Sequence, residues 1–308
     1  MTLRFVKSKL ILVVWMLAIP VLVVVGATDA FQKPGTQVVP QTAPRSGVEP
    51  SISAAKQVGN GGATEASELA RGRALFAKQC AICHGDQGDG AGKFAYLMNP
   101  RPRDFKKGKF KLTTTQNLIP SDDDLLRTIS RGMPGSAMPP WAHLPLADLR
   151  ALVKFIRTTH ADAVRLEIDA GVKDGSFEAA EVPALLATRT QPGLPIVVPP
   201  EPKTDELTWF NGRRVYLQAC AVCHGADGHP LPEAVKYDDE GYPNPPRSFV
   251  NGIFKGGMDG AELYCRITKG MRGTPMPAFE GTYTNEEIWD LIHYVQSLAR
   301  AGSQGRHG

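Results

Sequence analysis

The chain lacks a strong charge of either sign. Its 35 Lys and Arg against 31 Asp and Glu leave a formal +4, and neither the basic residues nor the aromatics line up as a binding stripe, which excludes nucleic acid as a partner. It also lacks the polarity of a disordered polypeptide. With 42% hydrophobic and 21% charged residues, its 308 residues have an ordinary globular balance, and at roughly 150 residues per domain they suggest two domains. Cysteine is scarce. Four of the five fall in two short motifs, so the fifth, Cys265, has no partner left for a disulfide within the chain and reads as a small buried hydrophobe.

What is present begins at the N-terminus. Arg4, Lys7 and Lys9 precede an apolar, uncharged run over residues 10–26. Basic residues ahead of such a run hold the N-terminus in the cytoplasm and place the rest of the chain across the membrane. Residues 1–30 are therefore read as an uncleaved signal-anchor, with a cleaved signal peptide, ending near Ala27, as the alternative. Residues 31–65, rich in Pro, Gly, Ser, Ala and Gln, are expected to form a flexible tether.

The remainder is an internal repeat. CAICHG at 80–85 matches CAVCHG at 220–225. A helical stretch before each motif carries Gly and an aromatic four apart, Gly72 with Phe76 and Gly212 with Tyr216, on one helix face. After each motif come a Pro-Arg-x-Phe element (Pro102 to Phe105, Pro246 to Phe249), a short helix ending at Gly132 or Gly270, and a Met-Pro step, Met138-Pro139 or Met276-Pro277. Each copy closes on an amphipathic helix, with apolar positions at Leu149, Leu152, Val153, Phe155 and Ile156, or Ile288, Leu291, Ile292, Tyr294 and Val295. The copies are offset by 140 at the cysteines, 144 at the Pro-Arg elements and 138 at the Met-Pro steps, so insertions are confined to loops. This predicts domains over 66–160 and 205–300. Residues 161–204, with five prolines between 192 and 202, read as an extended, semi-rigid linker holding at most a weak helix around 177–187.

Cys-x-x-Cys-His is the signature of covalent haem attachment, with two thioethers from the thiols and the His on the iron. Two copies inside a repeat assign Cys80, Cys83 and His84 to one haem c, and Cys220, Cys223 and His224 to a second. A Met thioether as the sixth iron ligand stabilises ferrous iron and suits an electron carrier. Met138 and Met276 are the candidates, each stiffened by a following Pro and about 50 residues beyond its His. Met133 and Met271 also align with each other, so the repeat alone does not separate the two pairs. Arg103 and Arg247 stand at matching places from which a guanidinium can pair with a haem propionate. The basic stretch RPRDFKKGKFK around Arg103 offers a docking patch or a solvated loop. His143, His160, His229, His293 and His307 have no counterpart in the other copy and are expected in surface or packing roles.

On these residues both halves resemble class I cytochrome c domains, which implies an all-α fold of two tandem domains behind an N-terminal membrane segment. In that family the first and last helices cross at a Gly and an aromatic, and the resemblance makes Phe155 and Tyr294 the partners of the Gly72/Phe76 and Gly212/Tyr216 pairs. The whole arrangement is similar to membrane-anchored dihaem cytochromes c of bacterial respiratory complexes. That implies an electron carrier on the periplasmic side of the inner membrane, with redox proteins as partners and no small-molecule substrate. The alternatives are a dihaem peroxidase, a thiol-oxidising dehydrogenase using Cys265, or a haem sensor. The joining segment is much longer than in the dihaem subunit of cbb3-type oxidases, which sets the chain apart from that subunit. Residues 66–160 carry 15 positive and 8 negative side chains and residues 205–300 carry 9 and 13, a polarity suited to orienting the molecule on charged partners.

Overall fold

The computed structural model describes residues 61–304. The candidate membrane run at 10–26, most of the proposed tether and His307 lie outside these residues. Among the described residues no helix is long and apolar enough to cross a membrane.

The fold is all-α apart from one two-residue strand pair. The first half contains α1 (Gly61–Gln79), the single turn α2 (Ala81–His84), α3 (Asp122–Arg131) and α4 (Leu146–Asp174). The second repeats the order with α6 (Glu206–Ala219), α7 (Ala221–His224), α8 (Gly260–Lys269) and α9 (Asn285–Gln304), and α5 (Val182–Thr190) lies between them. Strands β1 (Lys236–Tyr237) and β2 (Pro243–Asn244) form an antiparallel hairpin in the second half.

Each half is organised by one close helix crossing. A side chain at Gly72 would run into the backbone carbonyl of Ala151, so only glycine lets α1 rest directly on α4. Gly212 bears the same relation to the carbonyl of Asp290 on α9. The aromatics meet beside these contacts, Phe76 with Phe155 at 4.6 Å between ring centroids and Tyr216 with Tyr294 at 5.1 Å. Phe76, Leu152 and Ile156 in one half and Tyr216, Leu291 and Ile292 in the other are almost wholly buried around them. The two cores are separate clusters.

The short helices are set by their ends. Ser121 caps α3 by accepting from the Asp124 backbone, and the Asp124 carboxylate returns the bond to the Ser121 backbone. Asp259 caps α8 through Ala261 and Glu262. Both end at a glycine with φ 70°, Gly132 and Gly270. There the following loop folds back so closely that an added Cβ would meet the backbone of Pro139 or Pro277.

The joining segment differs from the extended linker read in the sequence. Residues 161–174 continue α4, because buried His160, Val164, Ile168 and Gly171 extend the stripe of Val153 and Ile156 at three- and four-residue spacing. The helix stops at Gly175 in the left-handed conformation, and Phe177 folds back onto Gly171. Helix α5 then packs along α4. Only the following stretch is extended, and it is fastened down. Thr115 bridges Pro195, the Gln116 N–H donates to Leu194 at 2.8 Å, and the Ile196 N–H to Thr114 at 2.8 Å. Ile196 and Val198, half-buried, then pack against the core of the second half.

Candidate functional site

Two clefts of almost equal size occupy matching places in the two halves. The first is lined by Cys80, Cys83, His84, Arg103, Phe105, Phe110, Lys111, Met133 and Met138, among others. The second is lined by Cys220, Cys223, His224, Arg247, Phe249, Phe254, Lys255, Met271 and Met276. Every candidate residue read from the repeat therefore lies in one of the clefts, each with its own half. Both methionine pairs are present, and they are tied together. The Met133 N–H donates to the Met138 carbonyl at 3.1 Å, and Met271 to Met276 at 3.3 Å.

The histidines are held the same way in both halves. His84 Nδ1 lies 3.0 Å from the carbonyl oxygen of Arg103, and His224 Nδ1 lies 2.8 Å from that of Arg247. A carbonyl only accepts, so Nδ1 carries the proton and Nε2 keeps its lone pair. Phe105 and Phe249 stack on the imidazoles at 4.7 and 4.2 Å and hold the ring planes. Burial pushes both histidines below their usual pKa, which keeps the rings neutral.

Burial has the opposite sign for the thiols. It pushes Cys80 up to about 11 and Cys220 up to about 12. A reactive thiol needs a depressed pKa, so burial disfavours Cys80 and Cys220 as attacking thiols in exchange chemistry. Cys265 lines neither cleft. It is buried on α8 beside Arg127, Arg131 and Arg266, where burial pushes it up to about 11.

The cations in the clefts are short of partners. Arg103 Nε and Arg247 Nε are buried without a hydrogen bond. Lys111 is driven down to about 7 by burial and by the charges of Lys255 and Arg103, and Lys255 to about 8 by burial, Arg247 and Arg103. Arg103 with Lys111 in one cleft, and Arg247 with Lys255 in the other, stand on mostly apolar walls; each pair suits a ligand that is apolar in body and anionic at one edge, as a haem with its propionates is. The two lysines were not singled out in the sequence. Their signal was there: Phe105, Gly108, Phe110 and Lys111 recur 144 positions later as Phe249, Gly252, Phe254 and Lys255.

The basic stretch around Arg103 is partly engaged within the molecule. Lys107 pairs with Glu240 at 3.0 Å, Lys109 with Asp239 at 2.6 Å, and Arg101 lies over the Tyr242 ring at 4.5 Å. The acidic hairpin of the second half thus covers it, and part of the opposite polarity of the halves is used within the molecule. The unmatched histidines have local partners. His160 sits between the carbonyls of Arg189 (3.1 Å) and Lys106 (3.4 Å), His293 bonds Glu201 at 2.8 Å, His229 lies near Ser248, and His143 packs beside Trp141.

A repeated all-α architecture around such clefts is that of a cytochrome-type electron-transfer protein. The profile of the family described as cytochrome c oxidase, cbb3-type, subunit III matches residues 67–156 and again 208–295, and the chain belongs to that family. The long joining segment falls between the two matches and does not set the chain outside the family. Among curated proteins the chain is similar to the cbb3-type cytochrome c oxidase subunits FixP of Bradyrhizobium sp. (strain ORS 278) and Bradyrhizobium diazoefficiens. It is 26% identical to each over 230 and 231 residues, which is 74% of this chain. The match spans 60% of the length of those relatives. Among solved structures it is similar to a chain of the Kuenenia stuttgartiensis reducing HAO-like protein complex Kustc0457/Kustc0458. The identity is 32% and the TM-score 0.62, covering 74% of this chain and 95% of that one.

Proposed function

We propose that the chain is a dihaem cytochrome c that carries electrons as a subunit or partner of a respiratory complex on the periplasmic side of the bacterial inner membrane. The two halves, 66–160 and 205–300, are class I cytochrome c domains, and residues 10–26 anchor the protein. The observation that carries this reading is the recurrence, in both clefts, of two cysteines, a histidine held by Nδ1 and a methionine loop.

Cys80 and Cys83 hold one haem c by thioethers and Cys220 and Cys223 the other. When bound, each haem supplies a one-electron iron couple. The carbonyls of Arg103 and Arg247, with Phe105 and Phe249, fix the His84 and His224 rings and leave Nε2 as the nitrogen that would bind iron. Met138 and Met276 complete the iron sites; both side chains pack against the core of their own half, whereas Met133 and Met271 do not belong to those clusters. Arg103 with Lys111, and Arg247 with Lys255, meet the propionates. The apolar walls exclude water and favour the lower charge of the reduced site. With a methionine closing each iron, the clefts carry electrons and hold no substrate. The FixP relatives are named as oxidase subunits, and an electron-delivering role beside a membrane oxidase is the corresponding one here.

Optical spectroscopy of the purified chain tests this. Two covalent haems per polypeptide, each with a methionine-to-iron charge-transfer band when oxidised, are expected. High-spin bands with peroxide turnover would overturn the carrier.

A further inference from the structure

The two halves meet at their methionine turns. Arg247, whose backbone carbonyl holds His224 in the second half, sends its guanidinium into the first, where Nη2 donates to the carbonyl oxygen of Gly135 at 2.7 Å. Gly135 lies in the turn between Met133 and Met138 at φ 72°. A side chain built there would meet Arg247 Cζ at 2.7 Å and Nη2 at 2.9 Å. The relation recurs in mirror form. The corresponding glycine of the second half is Gly273, at φ 67°, and a side chain there would meet Arg103 Nη1 at 2.5 Å and Cζ at 3.2 Å. Each half therefore supplies an arginine that lies against the methionine turn of the other, as in the contact of a two-fold dimer.

The turns are closed within themselves. Ser136 donates from its N–H and from Oγ to the Met133 carbonyl, at 3.0 and 2.7 Å, and Thr274 treats Met271 likewise at 3.1 and 2.7 Å. A turn so closed moves as a unit, and its position over the cleft depends on what grips it from outside. For the first turn that grip is a hydrogen bond from a cationic donor, the stronger kind. For the second it is close packing of Arg103. Nε of each arginine remains buried and unbonded, so one planar group links the arginine's own cleft to the methionine turn of the other half.

We infer that Arg247 is a positioning residue for the methionine of the first site, and Arg103 for that of the second, so that each iron site is tuned by the half that does not hold it. This rests on the reading of the clefts as His/Met haem sites. It predicts an effect in the opposite half from the mutation, larger for Arg247 than for Arg103 because only Arg247 makes the bond.

The test uses the full-length, haem-loaded chain carrying Met276→His, in which any methionine-to-iron band belongs to the first site. Adding Arg247→Gln is expected to weaken that band at least two-fold and to lower the first site's reduction potential. Arg247→Lys, which keeps the charge but not the planar fork, restores neither fully. Should the Gln variant yield no loaded protein, the Lys variant carries the test alone. A band and potential unchanged in every loaded variant would overturn the brace while leaving the haem reading intact. A parent protein with no such band would overturn both.

Discussion

The imidazole of His224 lies between the Arg247 carbonyl, which accepts from Nδ1 at 2.8 Å, and the face of Phe249, 4.2 Å from its centroid. One short segment thus orients the ring in two directions, and His84 is held identically by Arg103 and Phe105. Phe105 is the more buried of the two phenylalanines, 8% exposed, and also stacks on Phe110 at 6.1 Å. Phe105→Ala is therefore expected to cost about 3 kcal/mol, the usual price of removing a buried aromatic. Chemical denaturation of the loaded protein measures it, and a cost below about 1 kcal/mol would show that the ring does not organise the cleft.

The helix crossings give a second prediction. At Gly72 even a methyl group would strike the Ala151 carbonyl, and at Gly212 that of Asp290. Gly72→Ala and Gly212→Ala should each destabilise by about 1–3 kcal/mol, as overpacking does, although alanine is the better helix former. Gly→Ala elsewhere in a helix is stabilising by about 1 kcal/mol, so the sign of the shift in unfolding midpoint decides whether the contact is as close as described.

The acidic hairpin should respond to salt. Its ion pairs with Lys107 and Lys109 are largely exposed, and such pairs contribute about 0–1 kcal/mol each. Charge reversal at Asp239 and Glu240, or raised ionic strength, is expected to leave global stability nearly unchanged while accelerating amide hydrogen exchange over residues 236–244. Equal exchange in wild type and variant would show that the pairs do not hold the hairpin.

His160 sets a pH dependence. Burial lowers its pKa below the ordinary 6.5, and this outweighs the two carbonyls that favour its cation. The unfolded chain binds the proton more readily, so the contribution to stability is complete above about pH 6.5 and is lost as the pH falls toward the folded value. Unfolding midpoints between pH 5 and 7.5 should fall with pH, and His160→Gln should make that slope shallower.

Much of this was legible in the sequence because the repeat supplied two readings of each position. The grouping of Cys80, Cys83, His84 and Met138 follows from spacing within the repeat, and the all-α class and the crossing at Gly72 and Gly212 from the resemblance that those motifs carry. The continuation of α4 beyond residue 160 was obscured by proline content further on, although Val164 and Ile168 keep its apolar period. The roles of Arg103 and Arg247 toward the opposite half were not legible, because no local pattern shows which surface of one copy meets the other. The four residues that the second copy gains before Arg247 looked like a loop insertion. They fall with the hairpin that reaches Lys107 and Lys109, contacts 133 and 130 residues apart in sequence.

The strand-like attachment of Thr114, Thr115 and Gln116 to residues 194–196 has a mechanical consequence. A segment pinned to one half and packed against the core of the other acts as a splint more than as a hinge. The placement of one cleft is thereby tied to that of the other.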